Sequence, residues 1–372
     1  MQIKTLLVCL AVAHTTITAL ELSSRHRSCS DIEIPVVVSE RRYILNTTIE
    51  DNWDAVSLTF NLTARNYGTP ENPVPIIGQT DSPVIGNYSI GATLCGTGST
   101  LLVLIHGIIE SKLYYQPNLS GSEQYSFVDA AVAAGYSVLN YNRIGVGSSS
   151  NVDAYHDAQF QVETAVLNSL VTYGRQHINA SKVALVGHSF GAYLSAQSAA
   201  ILGSQIDALI LTGFSGTFEY FGPFAAGAGF RVARLADPQR WGDLQAGYLT
   251  SSDLYAETFA YFASPYFEHR VAEWSYNIAS EPFAVAELLT LMEADIAYEN
   301  ITAATMVLQG RYDGSACGGD CVGLLGTLSQ NFTAAAGLYT VDDLPAGHSL
   351  FLHEVAPQAF ESIFEFLKKT AT

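Results

Sequence analysis

After the first few residues this sequence has no long apolar run. No stretch approaching the about 18 residues of a membrane span follows the N-terminus, so no transmembrane helix is expected there. Basic residues are scarce: 17 Lys and Arg stand against 35 Asp and Glu in 372 residues, a formal net charge of -18. Such a surface repels phosphate backbones and anionic headgroups, which excludes nucleic acid as a partner and argues against a stable membrane anchor. There are only 5 cysteines, and in an oxidising compartment they pair rather than hold metal, so no metal site is expected of them. No internal repeat or low-complexity tract occurs. The C-terminal Lys-Lys-Thr-Ala-Thr carries neither a retention tail nor a lipid-anchor signal.

Apolar residues, by contrast, make up 48% of the chain and aromatic residues 11%, enough for a large buried core. Residues 1–20 read as a secretory signal: Lys4 supplies the positive start, Leu6 to Ala13 the short apolar stretch, and cleavage is expected near Ala19 or Leu20. Glycosylation acceptors at Asn46, Asn61, Asn87, Asn118, Asn179, Asn300 and Asn331 agree with export. Cys9 leaves with the signal, and four cysteines remain. Three pairings are open; the preferred one joins Cys317 to Cys321 across Gly-Gly-Asp and Cys29 to Cys95. The expectation is a secreted glycoprotein.

Two β segments are predicted near the start, Val36 through Thr48 and Val56 to Leu62, the second because its apolar and polar residues alternate. A Pro-rich stretch (Pro70, Pro73, Pro75, Pro83) reads as a loop. From residue 99 strands and helices alternate. Strands are expected at Leu101–Ile105, Tyr136–Tyr141, Lys182–Val186, Ile206–Leu211, Thr305–Gln309 and Leu338–Val341, and helices at about 125–134, 155–178, 190–202 and 354–369. This order implies an α/β fold, a mostly parallel sheet with helices on both faces. The alternation stops over 217–300, an aromatic-rich stretch read as a helical cap or lid inserted into a core of residues 21–216 and 301–372.

Gly187-His188-Ser189-Phe190-Gly191 follows a strand and opens a helix, the setting in which G-x-S-x-G exposes a nucleophilic serine on a strained turn. Small flanking residues relieve the crowding there, and the backbone N–H of Phe190 is placed to stabilise a developing oxyanion. A serine hydroxyl needs a base within hydrogen-bond reach. His348, in the loop between the last strand and the last helix, is the candidate; His353 is its rival, while His188 is expected to pack or support. The acid that holds the imidazole is expected at Asp313, just past a strand, with Asp342, Asp343 and Glu219 as alternatives. His106-Gly107 ends the first parallel strand. The Ile108 N–H is then the second oxyanion donor, and His106 a structural support.

Together Leu-Ile-His-Gly at 104–107, Asn142-Arg143-Ile144-Gly145-Val146-Gly147-Ser148, the serine elbow, Gly310-Arg311-Tyr312-Asp313 and Ala346-Gly347-His348 resemble the α/β-hydrolase superfamily over residues 99–369, closest to its secreted fungal members. The second segment departs from the familiar Asp-x-Arg-Gly-x-Gly-x-Ser pattern at Asn142 and Ile144. The resemblance implies hydrolysis without cofactor or metal: Ser189 attacks, His348 relays the proton, Asp313 orients it, and an acyl-enzyme is hydrolysed by water. The expected substrate is a small apolar ester, lactone or thioester. Amidase, peptidase, acyltransferase and C–C hydrolase chemistry share the same motifs, and a non-catalytic binding protein on this scaffold is the reading from another class. Oligomeric state is left open.

Overall fold

The structure, a computed structural model, describes residues 29–371; the expected signal at 1–20 lies outside them. Eight strands form the central sheet: β1 (Cys29–Glu40), β2 (Val84–Cys95), β3 (Thr100–Ile105), β4 (Ser137–Tyr141), β5 (Lys182–His188), β6 (Ala208–Thr212), β7 (Ala304–Gly310) and β8 (Leu338–Leu344). Their order is β1-β2-β4-β3-β5-β6-β7-β8. Neighbours from β4 to β8 run parallel, whereas β1 pairs with β2, and β2 with β4, antiparallel. The apolar runs are explained by burial: every residue of β3 and β6 is buried, because helices cover both faces.

The helices used below are α1 (Asn52–Leu62), α2 (Phe127–Ala133), α3 (Phe160–His177), α4 (Phe190–Leu202), α5 (Phe221–Ala228), α6 (Leu254–Tyr261), α7 (His269–Trp274), α8 (Val285–Met292), α9 (Gly314–Cys317) and α10 (Ala356–Thr370). Helices α5 to α8 lie between β6 and β7, together with a small three-stranded sheet of Arg231–Val232, Tyr248–Thr250 and Phe283–Ala284.

The segment Val56–Leu62 is not a strand. It belongs to α1, which starts in a capping box: Asp51 accepts the Trp53 and Asp54 amides, and Asp54 accepts back from Asp51. The helix buries Ala55, Leu58 and Leu62, spaced by three and four residues, and leaves Trp53 80% and Phe60 71% exposed. The alternation that suggested a strand arises because exposed Phe60 falls between two buried leucines. The Pro-rich stretch likewise contains a short strand, Ile76–Gln79, paired with Tyr43–Leu45.

Register brings the functional residues together. Ile105 lies opposite Gly187, and His188 opposite Thr212, so β3, β5 and β6 end level at one rim of the sheet. Parallel β7 and β8 deliver their following loops to the same rim. Disulfides join Cys29 to Cys95, which face each other across β1 and β2, and Cys317 to Cys321.

Candidate active site

Strand β5 ends at His188 and α4 begins at Phe190, leaving Ser189 alone in the turn with φ 53° and ψ -121°. Its amide donates to the Thr212 carbonyl at 2.8 Å, which anchors the turn to β6. The turn closes only with glycines on either side. A Cβ on Gly187 would stand 2.4 Å from the Gly191 carbonyl oxygen, and one on Gly191 2.2 Å from the Ile105 carbonyl oxygen.

The three side chains expected to meet do so. Ser189 Oγ lies 2.9 Å from His348 Nε2, and His348 Nδ1 lies 2.8 Å from Asp313 Oδ2. The second carboxylate oxygen, Oδ1, accepts the Ser315 and Ala316 amides at 2.8 Å each, so Asp313 also caps α9. Burial disfavours a charged imidazole at His348, but the charge and hydrogen bond of Asp313 outweigh it and hold the His348 pKa above its ordinary value. Burial likewise opposes ionisation of Asp313, yet His348 and the α9 amides hold its pKa below the ordinary value. The arrangement presents a hydroxyl to a base whose protonated form is stabilised from behind.

The rivals have other partners. His353 is buried; its Nε2 accepts the Ala263 and Gly347 amides at 3.0 Å each, and its Nδ1 donates to the Ser349 carbonyl. Burial lowers its pKa to about 4, so it is neutral and braces the loop that carries His348. Asp342 accepts the Gly323 amide, and Asp343 and Glu219 are exposed. His188 is buried, stacked on Tyr114 with ring centroids 4.5 Å apart, and its Nδ1 lies 3.0 Å from Thr212 Oγ1.

Ile108 and Phe190, the expected oxyanion donors, line the same cavity as Ser189, and among the described residues neither amide donates to a protein acceptor. Gly107 allows the approach: a Cβ there would lie 2.9 Å from Ser189 Cβ.

Sequence reading missed Glu110. This carboxylate is 7% exposed, accepts the Gly107 amide at 2.8 Å, and sits 3.4 Å from both His188 Nε2 and Ser349 Oγ. An isolated acidic residue in a loop has no spacing by which to recognise it; only the fold brings β5 and the His348 loop to it.

Two cavities flank the triad. One, a narrow slot of about 30 Å³, is lined by Ser189 and by apolar side chains that include Tyr193, Phe218, Phe221, Leu288, Leu291 and Met292. The other, about 470 Å³, opens on His348 between Phe224, Phe259, Phe262, Phe267 and Tyr312. The loop after Asp313 runs between them, with Ser315 and Ala316 on one side and Gly318 and Gly319 on the other. The described residues contain no cluster of three or more His, Cys, Asp or Glu able to hold a metal ion, and no described helix is long and apolar enough to cross a membrane. All seven glycosylation-acceptor asparagines are exposed.

Comparison with known proteins agrees with this architecture. Residues 102–362 match the model of the alpha/beta hydrolase family. Among solved structures, an esterase from Exiguobacterium antarcticum superposes with a TM-score of 0.54 at 16% identity, over 76% of this chain and 96% of that one. A thermostable carboxyl esterase from Bacillus coagulans gives 0.55 at 15%, over 76% and 94%. A bromoperoxidase from Bacillus anthracis gives 0.51 at 21%, over 76% and 96%. No curated protein sequence matches the chain.

Proposed function

Because this chain belongs to the alpha/beta hydrolase family, we propose that it is a secreted serine hydrolase cleaving an apolar carboxylic ester through an acyl-enzyme. The observation that carries the reading is the unbroken chain from Ser189 Oγ through His348 to Asp313, at 2.9 and 2.8 Å, beside an apolar cavity.

In this mechanism Ser189 Oγ attacks the ester carbonyl carbon while its proton passes to His348 Nε2. Asp313 Oδ2 accepts the Nδ1 proton's hydrogen bond, fixing the tautomer and stabilising the imidazolium. The Ile108 and Phe190 amides take the developing oxyanion. Collapse of the tetrahedral intermediate expels the alcohol, which leaves with the Nε2 proton. Water then repeats the sequence on the acyl-enzyme: His348 accepts its proton, and Ser189 recovers one when the acid departs.

The aromatic insertion at 217–300 acts as the cap. Helices α5 and α8 roof the serine, so the cavity beside Ser189 takes the acyl chain and the one beside His348 the alcohol. Burying an apolar acyl chain there contributes roughly 25 cal/mol per Å². The paired cysteines and exposed acceptor asparagines support an exported, glycosylated protein.

A fluorophosphonate probe and a panel of nitrophenyl esters of graded acyl length, run beside peptide and lactone substrates, test the reading. Labelling and ester turnover should both vanish in Ser189→Ala. Labelling that survives the substitution, or turnover of peptides in preference to every ester, refutes it.

A further inference from the structure

The backbone at Gly107 and Ile108 offers four polar groups, and three are tied down. The Gly107 amide donates to Glu110 Oε2 at 2.8 Å, and the Ile108 carbonyl accepts the Tyr261 hydroxyl at 2.6 Å. The Gly107 carbonyl lies 3.2 Å from Arg143 Nη2 and 2.8 Å from His106 Nδ1. Only the Ile108 amide lacks a protein acceptor among the described residues. The Gly107 carbonyl and the Ile108 amide share one planar trans peptide and point in opposite directions. Holding the carbonyl into the core therefore aims the amide at the cavity over Ser189.

Arg143 is the charged member of this clamp. It is 1% exposed, and its Nη1 lies 2.9 Å from Glu163 Oε1 on α3 and 2.5 Å from Glu287 Oε2 on α8. Its guanidinium also lies over the Phe190 ring, 4.7 Å from the centroid. The Arg143 amide donates to His106 Nε2 at 3.2 Å, which leaves the His106 proton on Nδ1, facing Gly107. Glu287 Oε1 accepts the Ala284 amide at 2.8 Å, at the start of the helix whose Leu288, Leu291 and Met292 line the cavity.

We propose that Arg143 is a positioning residue for the reaction: it aims the Ile108 amide at the oxyanion, steadies Phe190, and through Glu287 ties the substrate-lining helix α8 to the same loop. The inference rests on the serine-hydrolase reading. A guanidinium bound to the carbonyl also polarises the shared peptide, which makes the Ile108 N–H a stronger donor.

Two variants test it. Arg143→Lys keeps the charge but loses the fork that spans two carboxylates and a carbonyl. The triple variant Arg143→Met, Glu163→Gln, Glu287→Gln removes the whole ion cluster and strands no buried charge, so it folds where a lone Arg143 truncation does not. Active sites are counted by fluorophosphonate labelling carried to completion, and rates are expressed per labelled site. Losing one oxyanion donor outright lowers kcat by roughly 100- to 1000-fold, and a misaimed donor should lower it about 10- to 100-fold, with KM within about threefold.

Benzeneboronic acid supplies the second readout. Ser189 Oγ bonds to boron, its proton passes to His348 Nε2, and the anionic boronate oxygen takes the oxyanion position. Its inhibition constant should rise by the same factor as kcat falls. A kcat per site within twofold of wild type in both variants overturns the inference, as does a loss confined to KM with boronate affinity unchanged. A wild-type chain that neither labels nor turns over esters overturns the hydrolase reading, and this inference with it.

Discussion

Ser189 holds a backbone conformation that side-chain-bearing residues rarely adopt, at φ 53° and ψ -121°, and such strain costs about 1–3 kcal/mol. It persists because Gly187, Gly191 and the bond to Thr212 leave the turn no alternative. Ser189→Gly should therefore abolish turnover and raise the denaturant midpoint by the equivalent of about 1 kcal/mol. An unchanged or lowered midpoint shows that the turn stores no strain. At His348 the base must be neutral to act, and Asp313 holds its pKa above 6.5. Activity is therefore lost as pH falls through that value, and the acid limb of kcat/KM should have its midpoint above pH 6.5. Asp313→Asn removes the charge that raised the pKa. The limb should move to lower pH while kcat falls by roughly 10⁴; a limb that stays in place means Asp313 does not set it.

At the scale of elements, α8 decides what fits beside the serine. At its start Glu287 accepts the Ala284 amide, and the helix faces the cavity with Leu288, Leu291 and Met292, spaced three and four residues apart along one side. Leu288→Trp should fill the cavity and shift the nitrophenyl-ester optimum to shorter acyl chains, with acetate turnover kept within about threefold of wild type on the expectation that only volume is lost. An unchanged chain-length profile places the acyl group elsewhere. Helix α9 and the Cys317–Cys321 disulfide act differently: they shape the loop that presents Asp313 and divides the two cavities.

Across the whole molecule, buried carboxyls make stability depend on pH. Glu257 on α6 is 2% exposed and bound by the Ser251 and Ser280 hydroxyls at 2.7 and 2.5 Å. Burial raises its pKa from 4.5 to about 7, against the pull of those hydroxyls. The folded chain thus holds a proton that the unfolded chain releases, so stability is full below pH 4.5 and declines as pH rises to about 7. The loss from this one group is at most about 3 kcal/mol. Burial also raises the pKa of Glu163, against the pull of Arg143, and so acts in the same direction. Glu257→Gln should flatten the fall in Tm between pH 5 and 7; an equally steep fall assigns the effect to other groups.

Local pattern alone determined a good deal of this protein. Runs such as Leu101–Ile105 must be buried on both faces, and the glycine-flanked Ser189 must follow a strand and precede a helix. Each of these rests on a residue's near neighbours, so it survives in one dimension, whereas Asp313 and His348 were singled out by the chain order that the resemblance implies. The tertiary structure decided what depends on distant partners. Val56–Leu62 is helical because α1 caps itself at Asp51 and packs Ala55, Leu58 and Leu62 inward. The roles of Glu110 and Arg143 follow from contacts across the fold: Arg143 and Glu287 stand 144 residues apart in the chain. An isolated buried charge leaves no periodic trace, because its meaning is set by the counter-charges that packing brings to it.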